Sequence, residues 1–433
     1  MLDKCRMIDS GIEWVGDIPQ DWLVFPAGGV FSEVKEKNTN NEYSNAFSFR
    51  YGEIVDKKTN GIDDGSVDEA LSAYRVVSPN TIMINGLNLN YDFITQRVAI
   101  VKEKGIITSA YLAVQPDERL IVPKFALYLF KAYDAKQVFH GMGSGVRKTL
   151  KYSDFKHIKI VAPSMDKQKT IVAYLDGKMQ EIEGIIAEAK ASIEEYKAWK
   201  ASIIYEAVTK GLDPNAEMKD SGIEWFGMIP QHWFSMKLRY ALENISDVDH
   251  FMPESVSEGI PYIMTGDLEK MVSQINVEEC KKISVEDYRK LSQKSKIQID
   301  DVIFARYATI GTVSYVDVDL DCIISYSCVV VSPKKDVLSG KYLYYYLQSE
   351  AFASEVGKYI NTNIQGNVGK ESMYKAKILL PPITEQTIIV DHLDRKCQAL
   401  DSLIAEKEAL IKDMEAYKKS LIFEVVTGKR KVV

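Results

Sequence analysis

From Asp166 to about Thr209 the chain runs without a proline, and its apolar residues fall at Ile171, Leu175, Ile182, Ile186, Ala189, Ile193, Tyr196, Ile203 and Ala207. From Ile182 onward the 4-3 alternation is that of a heptad seam, interrupted by Lys200. A second such stretch runs from Thr384 to about Val426, on Ile389, Leu393, Leu400, Leu403, Leu410, Met414, Tyr417 and Leu421, with Lys396 and Lys407 interrupting it. Each stretch predicts a helix of about 40 residues, roughly 60 Å long at 1.5 Å per residue. That length exceeds one globular core, and so narrow a seam suits another helix, so the two are expected to pack on each other. The alternative, two independent surface helices, fits the long, narrow seam less well.

Shorter alternations ahead of each helix predict strands at Thr81–Asn85, Arg97–Val101 and Ser109–Val114, then at Asp301–Ala305, Thr312–Val316 and Ile323–Val331. Short helices are expected near 123–138 and 339–355, each followed by a loop rich in Gly or Asn. The chain thus states one pattern twice. Asp9-Ser10-Gly11-Ile12-Glu13-Trp14, with Gly16, Ile18-Pro19-Gln20 and Trp22, returns as Asp220-Ser221-Gly222-Ile223-Glu224-Trp225, with Gly227, Ile229-Pro230-Gln231 and Trp233. Pro163, Gln168, Leu175, Asp176 and Lys178 return as Pro381, Gln386, Leu393, Asp394 and Lys396. The stretches between, roughly 30–95 and 240–310, resemble each other little. A repeated frame with divergent contents points to a pseudo-twofold object that meets its partner twice.

The expected architecture is α+β: two α/β lobes, 1–165 and 211–382, with long antiparallel helices over 166–210 and 383–428 forming a coiled-coil-like spacer. Gly211-Leu212-Asp213-Pro214-Asn215 stops the first helix. Thr427-Gly428-Lys429-Arg430 sits where Thr209-Lys210-Gly211 sat, so the repeat is circular and its chain ends are expected to lie close together.

Composition narrows the class. Of 433 residues, 46% are hydrophobic and 27% charged, an ordinary soluble balance. No run approaches a membrane span, and the first residues lack a signal peptide's apolar stretch. Five scattered cysteines form no metal or disulfide framework, which fits reduced thiols in a cytoplasmic protein. The net charge of −7 argues mildly against nucleic acid. Residues 22–160 carry a balance of +3 and residues 233–380 one of −3, so any DNA surface must be a sorted face.

No catalytic constellation emerges. The five histidines show no ligand spacing. Gly141-Met142-Gly143-Ser144-Gly145 follows a helix rather than a strand and lacks a nucleotide-loop fingerprint. Gly366-Asn367-Val368-Gly369-Lys370-Glu371 lacks the first Gly and the Ser/Thr of a phosphate-binding loop. What remains are candidate DNA contacts. Arg147 and Lys148 join two cations to a flexible, N–H-rich loop suited to phosphate, with a solvated connector as the alternative. Asn361, Asn363, Gln365 and Lys370 form the matching loop, whose amides suit base edges. Arg306 and Tyr307 follow a strand, where an exposed Arg would reach a groove; a surface ion pair is the competing reading. Asn85, Asn88 and Arg97 are the matching candidates in the first half.

The twin Asp-Ser-Gly-Ile-Glu-Trp motifs, the twin Pro…Gln…Leu-Asp-x-Lys helix starts, and Asp300-Asp301-Val302-Ile303-Phe304-Ala305-Arg306-Tyr307 with Ile310-Gly311 resemble the specificity subunit of Type I restriction–modification systems. The resemblance covers essentially the whole chain. Ser164 and Lys167 depart from it, standing where a second Pro and a Glu are usual. It implies two target recognition domains, each reading half of a split, asymmetric double-stranded DNA sequence. The helices would dock two modification subunits, which carry S-adenosylmethionine and methylate adenine. Two restriction subunits using ATP and Mg would complete the assembly. The chain itself would be non-catalytic and hold no cofactor. A structural adaptor that binds no DNA, and a specificity component of a related Type II-like methylating system, are the alternatives.

If the paired helices act as a ruler, inserting four residues in both moves the readers about 6 Å. At about 3.4 Å per base pair the target's spacer lengthens by one or two pairs. Mapping methylated adenines in cells carrying the insertion checks this, and an unchanged spacer contradicts it.

Overall fold

The computed structural model describes residues 6–57, 71–93, 96–142, 148–307, 309–359 and 367–432. The chain divides into two compact units, one of Met1–Lys190 with Glu408–Val433 and one of Ala191–Lys407. The two long helices span Met165–Lys210 and Ile383–Val426, within a residue or so of their expected bounds. Each unit therefore holds a mixed lobe and one half of both helices.

In the first unit a four-stranded antiparallel sheet runs in the order Phe31–Glu33, Leu112–Pro116, Ile82–Ile84, Val98–Ile100. A second sheet orders Glu53–Asp56, Ala46–Arg50, Gly105–Ile107 and Arg75–Val77, with the middle pair parallel. The helix Pro123–Ala135 buries Phe125, Leu129, Phe130 and Tyr133 in the main core, and Leu23–Pro26 pairs with Lys159–Ala162 to close the lobe. That core continues into the long helices through Ile171, Leu175 and Ile182 on one and Leu421, Ile422 and Val425 on the other. Lys418 reaches back to Glu183 at 2.5 Å, so the helices run antiparallel here.

The second unit repeats this plan with different residues. Its sheet runs Leu242–Ser246, Cys328–Pro333, Val302–Ala305, Val313–Tyr315, all antiparallel. Ile260–Ile263 and Ile323–Ile324 supply the parallel pair, and Phe234–Lys237 with Lys377–Leu380 the closure. The second sheet here has three strands, with Lys281–Ile283 at its edge, against four in the first unit, so the sequence-divergent stretches share the order of the main sheet and the parallel pair. Ile204 and Val208 pack here with Ile389, Leu393 and Cys397. Lys200, the interruption in the first seam, forms an ion pair with Asp401 at 2.9 Å, and Lys270 adds a second at 2.7 Å. Burial pushes the Asp401 carboxyl up, but the hydrogen bonds from Lys270 and Lys200 outweigh it and leave it below the ordinary carboxylate value.

Three expectations need correcting. On the second long helix Lys396, Leu403 and Tyr417 are exposed, whereas Cys397 is buried and Ile404 and Lys418 are half-buried. One position of each heptad therefore lies a residue later than read, since Leu403 and Ile404 are both apolar and pattern alone does not separate them. The helix expected near 339–355 is two, Gly340–Gln348 and Glu350–Gly357, because Ser349 caps the second through its side chain. The strand expected over Ile323–Val331 is likewise interrupted, between Ile324 and Cys328.

The twinned residues make twinned contacts. Gln168 donates to the carbonyls of Pro163 and Leu120 at 2.9 and 3.4 Å and accepts from the Val122 N–H at 2.8 Å. Gln386 donates to Pro381 and Val337 at 3.0 and 2.9 Å and accepts from Ser339 at 2.9 Å. Both glutamines are buried. One turn or two farther along, Asp176 takes Lys124 and Tyr128, and Asp394 takes Lys341 and Tyr345. Burial, reinforced by the neighbouring carboxylate, pushes both phenols up, so each remains a donor. In the opening motif Asp9 and Ser10 cap the Gly11 and Ile12 amides, as Asp220 and Ser221 cap Gly222 and Ile223. Each long helix ends on a left-handed glycine pressed against the Pro and Trp of that motif. A Cβ on Gly211 would lie 3.2 Å from Trp233, and one on Gly428 would lie 2.4 Å from Pro19. Lys429 also donates to the Asp17 carbonyl at 3.2 Å, which brings the end of the second long helix against the opening motif.

Gln386→Ala removes a buried side-chain amide from three backbone partners, those of Pro381, Val337 and Ser339. It is expected to lower unfolding stability by about 3 kcal/mol. Chemical denaturation checks this, and a change below about 1 kcal/mol contradicts the role assigned to the amide.

Candidate nucleic-acid interface

In the second unit the central strand Val302–Ala305 delivers Arg306 into a short hairpin loop that ends at Val313–Tyr315. Arg306 is fixed at both ends. Its backbone N–H donates to Ser327 at 2.9 Å, and its carbonyl accepts from Val368 at 3.3 Å. Its guanidinium donates through Nε and Nη2 to the Tyr326 carbonyl at 3.0 and 2.9 Å, and Nη1 pairs with Asp247 at 2.9 Å. Lys370 takes the other oxygen of Asp247 at 2.6 Å, and Asn367 donates to the Tyr307 hydroxyl at 3.0 Å. The fold thus gathers Arg306 and Lys370, 64 positions apart, around one carboxylate, with the Tyr307 ring beside the Arg306 guanidinium. The Arg306 side chain is 12% exposed, so it is an anchored group rather than a free arm, and the ion-pair reading prevails. Two cations against one anion still leave the cluster net positive.

The equivalent loop of the first unit is longer and leaves the strand Ile82–Ile84 at Asn85. Arg97, at its far end, is fully buried. Nη1 donates to the carbonyls of Asn85 and Leu87, both at 2.9 Å, and Nη2 to that of Asp92 at 2.5 Å. Its backbone N–H donates to Asp134 at 2.8 Å. Burial pushes the Asp134 carboxyl up, against the pull of Arg97. Arg97 therefore does not present itself to a groove; it is the post on which the loop is strung. Asn85 is half-buried and its side chain accepts from the Leu87 N–H at 3.2 Å. Asn88 is exposed and holds a left-handed φ of 52°. Lys148 is half-buried, and its carbonyl accepts from Leu89 at 3.1 Å, which brings the two predicted loops together. Arg147, Asn361, Asn363 and Gln365 lie outside the described residues.

Several members of these clusters escaped the sequence reading. Asp247 lies in a stretch with no local pattern to link it to residues 306 and 370. Tyr91 and Phe93 stand exposed beside Asn88, at 69% and 55%, and Phe93 stacks on His140 at 4.9 Å. An aromatic pair in a polar stretch was the available signal for them. Among the described residues no group of histidine, cysteine and acidic side chains is arranged to hold a metal ion.

Against known proteins, the family model of the Type I restriction modification DNA specificity domain matches residues 21–195 and again 251–413. The chain belongs to this family. The two matches each begin in a lobe and run on into a long helix, so the repeat read from the sequence is a repeat of the specificity domain. Among curated proteins the chain is 22% identical over 436 residues to a putative type I restriction enzyme MjaX specificity subunit of Methanocaldococcus jannaschii, covering 96% of both chains. It is also 22% identical over 425 residues to the MjaVIII specificity subunit of that organism, covering 96% of this chain and 94% of that one. A solved structure described under complex assembly and conformational transition of the type I R-M system superposes with a TM-score of 0.68 at 15% identity. It covers 95% of this chain and 99% of that one, and shows the shared fold.

Replacing Arg97 by Lys keeps the charge but loses the fork that reaches three carbonyls. Arg97→Lys is expected to raise amide hydrogen exchange across 85–93 at least about tenfold, a loss of about 1.4 kcal/mol of local stability. Unchanged protection there contradicts the assignment.

Proposed function

We propose that the chain is the non-catalytic, sequence-reading subunit of a Type I restriction–modification complex. Each specificity domain reads one half of a split, asymmetric double-stranded DNA target. One observation carries this reading: similar frames and main sheets of one strand order carry unlike loops after corresponding strands, Ile82–Ile84 in one unit and Val302–Ala305 in the other. A duplicated frame with identical loops would read a repeated half-site; unlike loops read unlike halves. Contacts are proposed at Asn88 and Lys148 with Arg147 in the first domain. In the second they are Tyr307, Asn361, Asn363, Gln365 and Lys370, with Arg306 holding the loop.

The long helices would dock two modification subunits, supplying S-adenosylmethionine chemistry, and the assembly would add two ATP- and Mg-dependent restriction subunits in the cytoplasm. Shared phosphate contact with such partners accounts for lobes that are nearly neutral by themselves. The family match favours DNA reading over a structural adaptor. A Type II-like methylating system would differ in the subunits that co-purify.

Genome-wide mapping of methylated adenines in the host is expected to return a bipartite motif with two different halves and a fixed non-specific spacer. A contiguous or palindromic motif contradicts the proposal. Arg306→Ala is expected to loosen the loop it holds and so to relax or weaken recognition of one half only, by roughly 1–3 kcal/mol if a base contact goes with it. Equal loss in both halves, or none, removes Arg306 from the reading apparatus.

A further inference from the structure

The loop after Ile82–Ile84 is held far more firmly than a connector requires. A fully buried guanidinium takes up three of its carbonyls, at Asn85, Leu87 and Asp92. The His140 ring nitrogen Nε2 adds a 2.9 Å hydrogen bond with the Asp92 carbonyl, while the ring face stacks on Phe93. Lys148 and Gly86 fasten its other flank to the chain that leads into Leu150. The turn after Ala46–Arg50 abuts the same loop, since a Cβ on Gly52 would lie 2.8 Å from the Cβ of Gln96.

What this frame displays is aromatic. Tyr91 is 69% exposed and Phe93 55%; Tyr51, at the abutting turn, is 82% exposed with a left-handed φ of 47°. Non-glycine residues adopt that conformation at a cost, so the turn is set by its surroundings. Phe93 stacks on His140, but Tyr91 and Tyr51 are left largely open to water and bury little for their own domain. They gain only when a flat partner covers them. A nucleobase is such a partner where a duplex is opened at one base step, because a side chain inserted there partly unstacks the step and frees a base face to cover it. The neighbouring groups suit DNA too, with the amides of Asn88 and Gln96 exposed.

We propose that Tyr91, with Tyr51 at the adjoining turn, forms an aromatic platform on which a nucleobase of the first half-site stacks, and that Arg97 and His140 are the positioning residues that hold the platform rigid. This rests on the reading of the chain as a DNA specificity subunit. It goes beyond that reading in naming a stacking contact, with no hydrogen bond from the phenol, as a source of half-site affinity.

The test uses the full chain with its co-purifying subunits and a duplex bearing the motif found by methylation mapping. 5-Iodo-deoxyuridine replaces each thymine of the first half in turn. Irradiation is expected to crosslink Tyr91 or Tyr51, located by peptide mass spectrometry. Tyr91→Ala is expected to weaken binding about 10- to 100-fold while leaving thermal unfolding unchanged, and Tyr91→Phe to restore it, because the ring and not the hydroxyl stacks. Wild-type affinity in Tyr91→Ala, with crosslinks elsewhere in the chain, overturns the platform and leaves the DNA reading intact. Loss of a co-purifying subunit in Tyr91→Ala with DNA affinity retained overturns it in favour of a protein contact. A wild-type complex that does not distinguish the mapped motif from scrambled duplex overturns both.

Discussion

Everything each unit presents depends on how its lobe is fastened to a helix, and that fastening is a buried amide. Gln168 and Gln386 have no route to water, so their amide groups must be satisfied by the backbone around them. Each does so by joining the start of its long helix to the chain just ahead of the lobe's own helix. An amide bonded to three backbone groups fixes direction as well as distance, which an apolar contact does not. The lysine and tyrosine that converge on Asp176, and again on Asp394, add a second fixed point farther along the helix. Two points define an orientation. A reader must hold its loops in register with a duplex, so the orientation is what the frame has to preserve.

The same logic explains where the chain repeats itself and where it does not. The Asp-Ser-Gly-Ile-Glu-Trp motif makes a self-capped turn, with its Pro and Trp receiving the end of a long helix on a glycine that has no room for a side chain. Such contacts tolerate few residue types, so the frame reads nearly the same in both halves. The loops after Ile82–Ile84 and Val302–Ala305 face no such limit. One is strung on a buried arginine, and the other is short and pinned by an arginine shared between Asp247 and Tyr326. Two different solutions hold two different loops at one place in the sheet.

That contrast also sets what was legible in the sequence. The long helices were readable because a seam of more than 40 residues averages over single errors, and they fell within a residue or so of their bounds. The one-residue slip at Leu403 arose where two apolar neighbours competed for one buried position. The shared sheet topology was not legible, since short buried strands such as Ile82–Ile84 and Val302–Ala305 demand only apolar residues of either identity. The candidate contacts were half legible. Arg306, Tyr307 and Lys370 do converge, but the carboxylate that joins Arg306 to Lys370 lies about 60 residues upstream of Arg306, beyond any local pattern. Arg97 was found for its charge and turned out to act by burial, which depends on tertiary packing alone.

The central claim is that one frame carries two interchangeable readers. The closing strand pairs, 23–26 with 159–162 and 234–237 with 377–380, mark the ends of each lobe, and an exchange between them carries over the matching partners of the frame, Lys124 and Tyr128 for Lys341 and Tyr345. The most direct measurement is the methylation map of cells whose chain carries residues 23–162 in place of 234–380, alongside the native partner subunits. The account predicts a motif in which the first half-site occurs twice and the second is gone. A folded chimera that still methylates the original two unlike halves would contradict it.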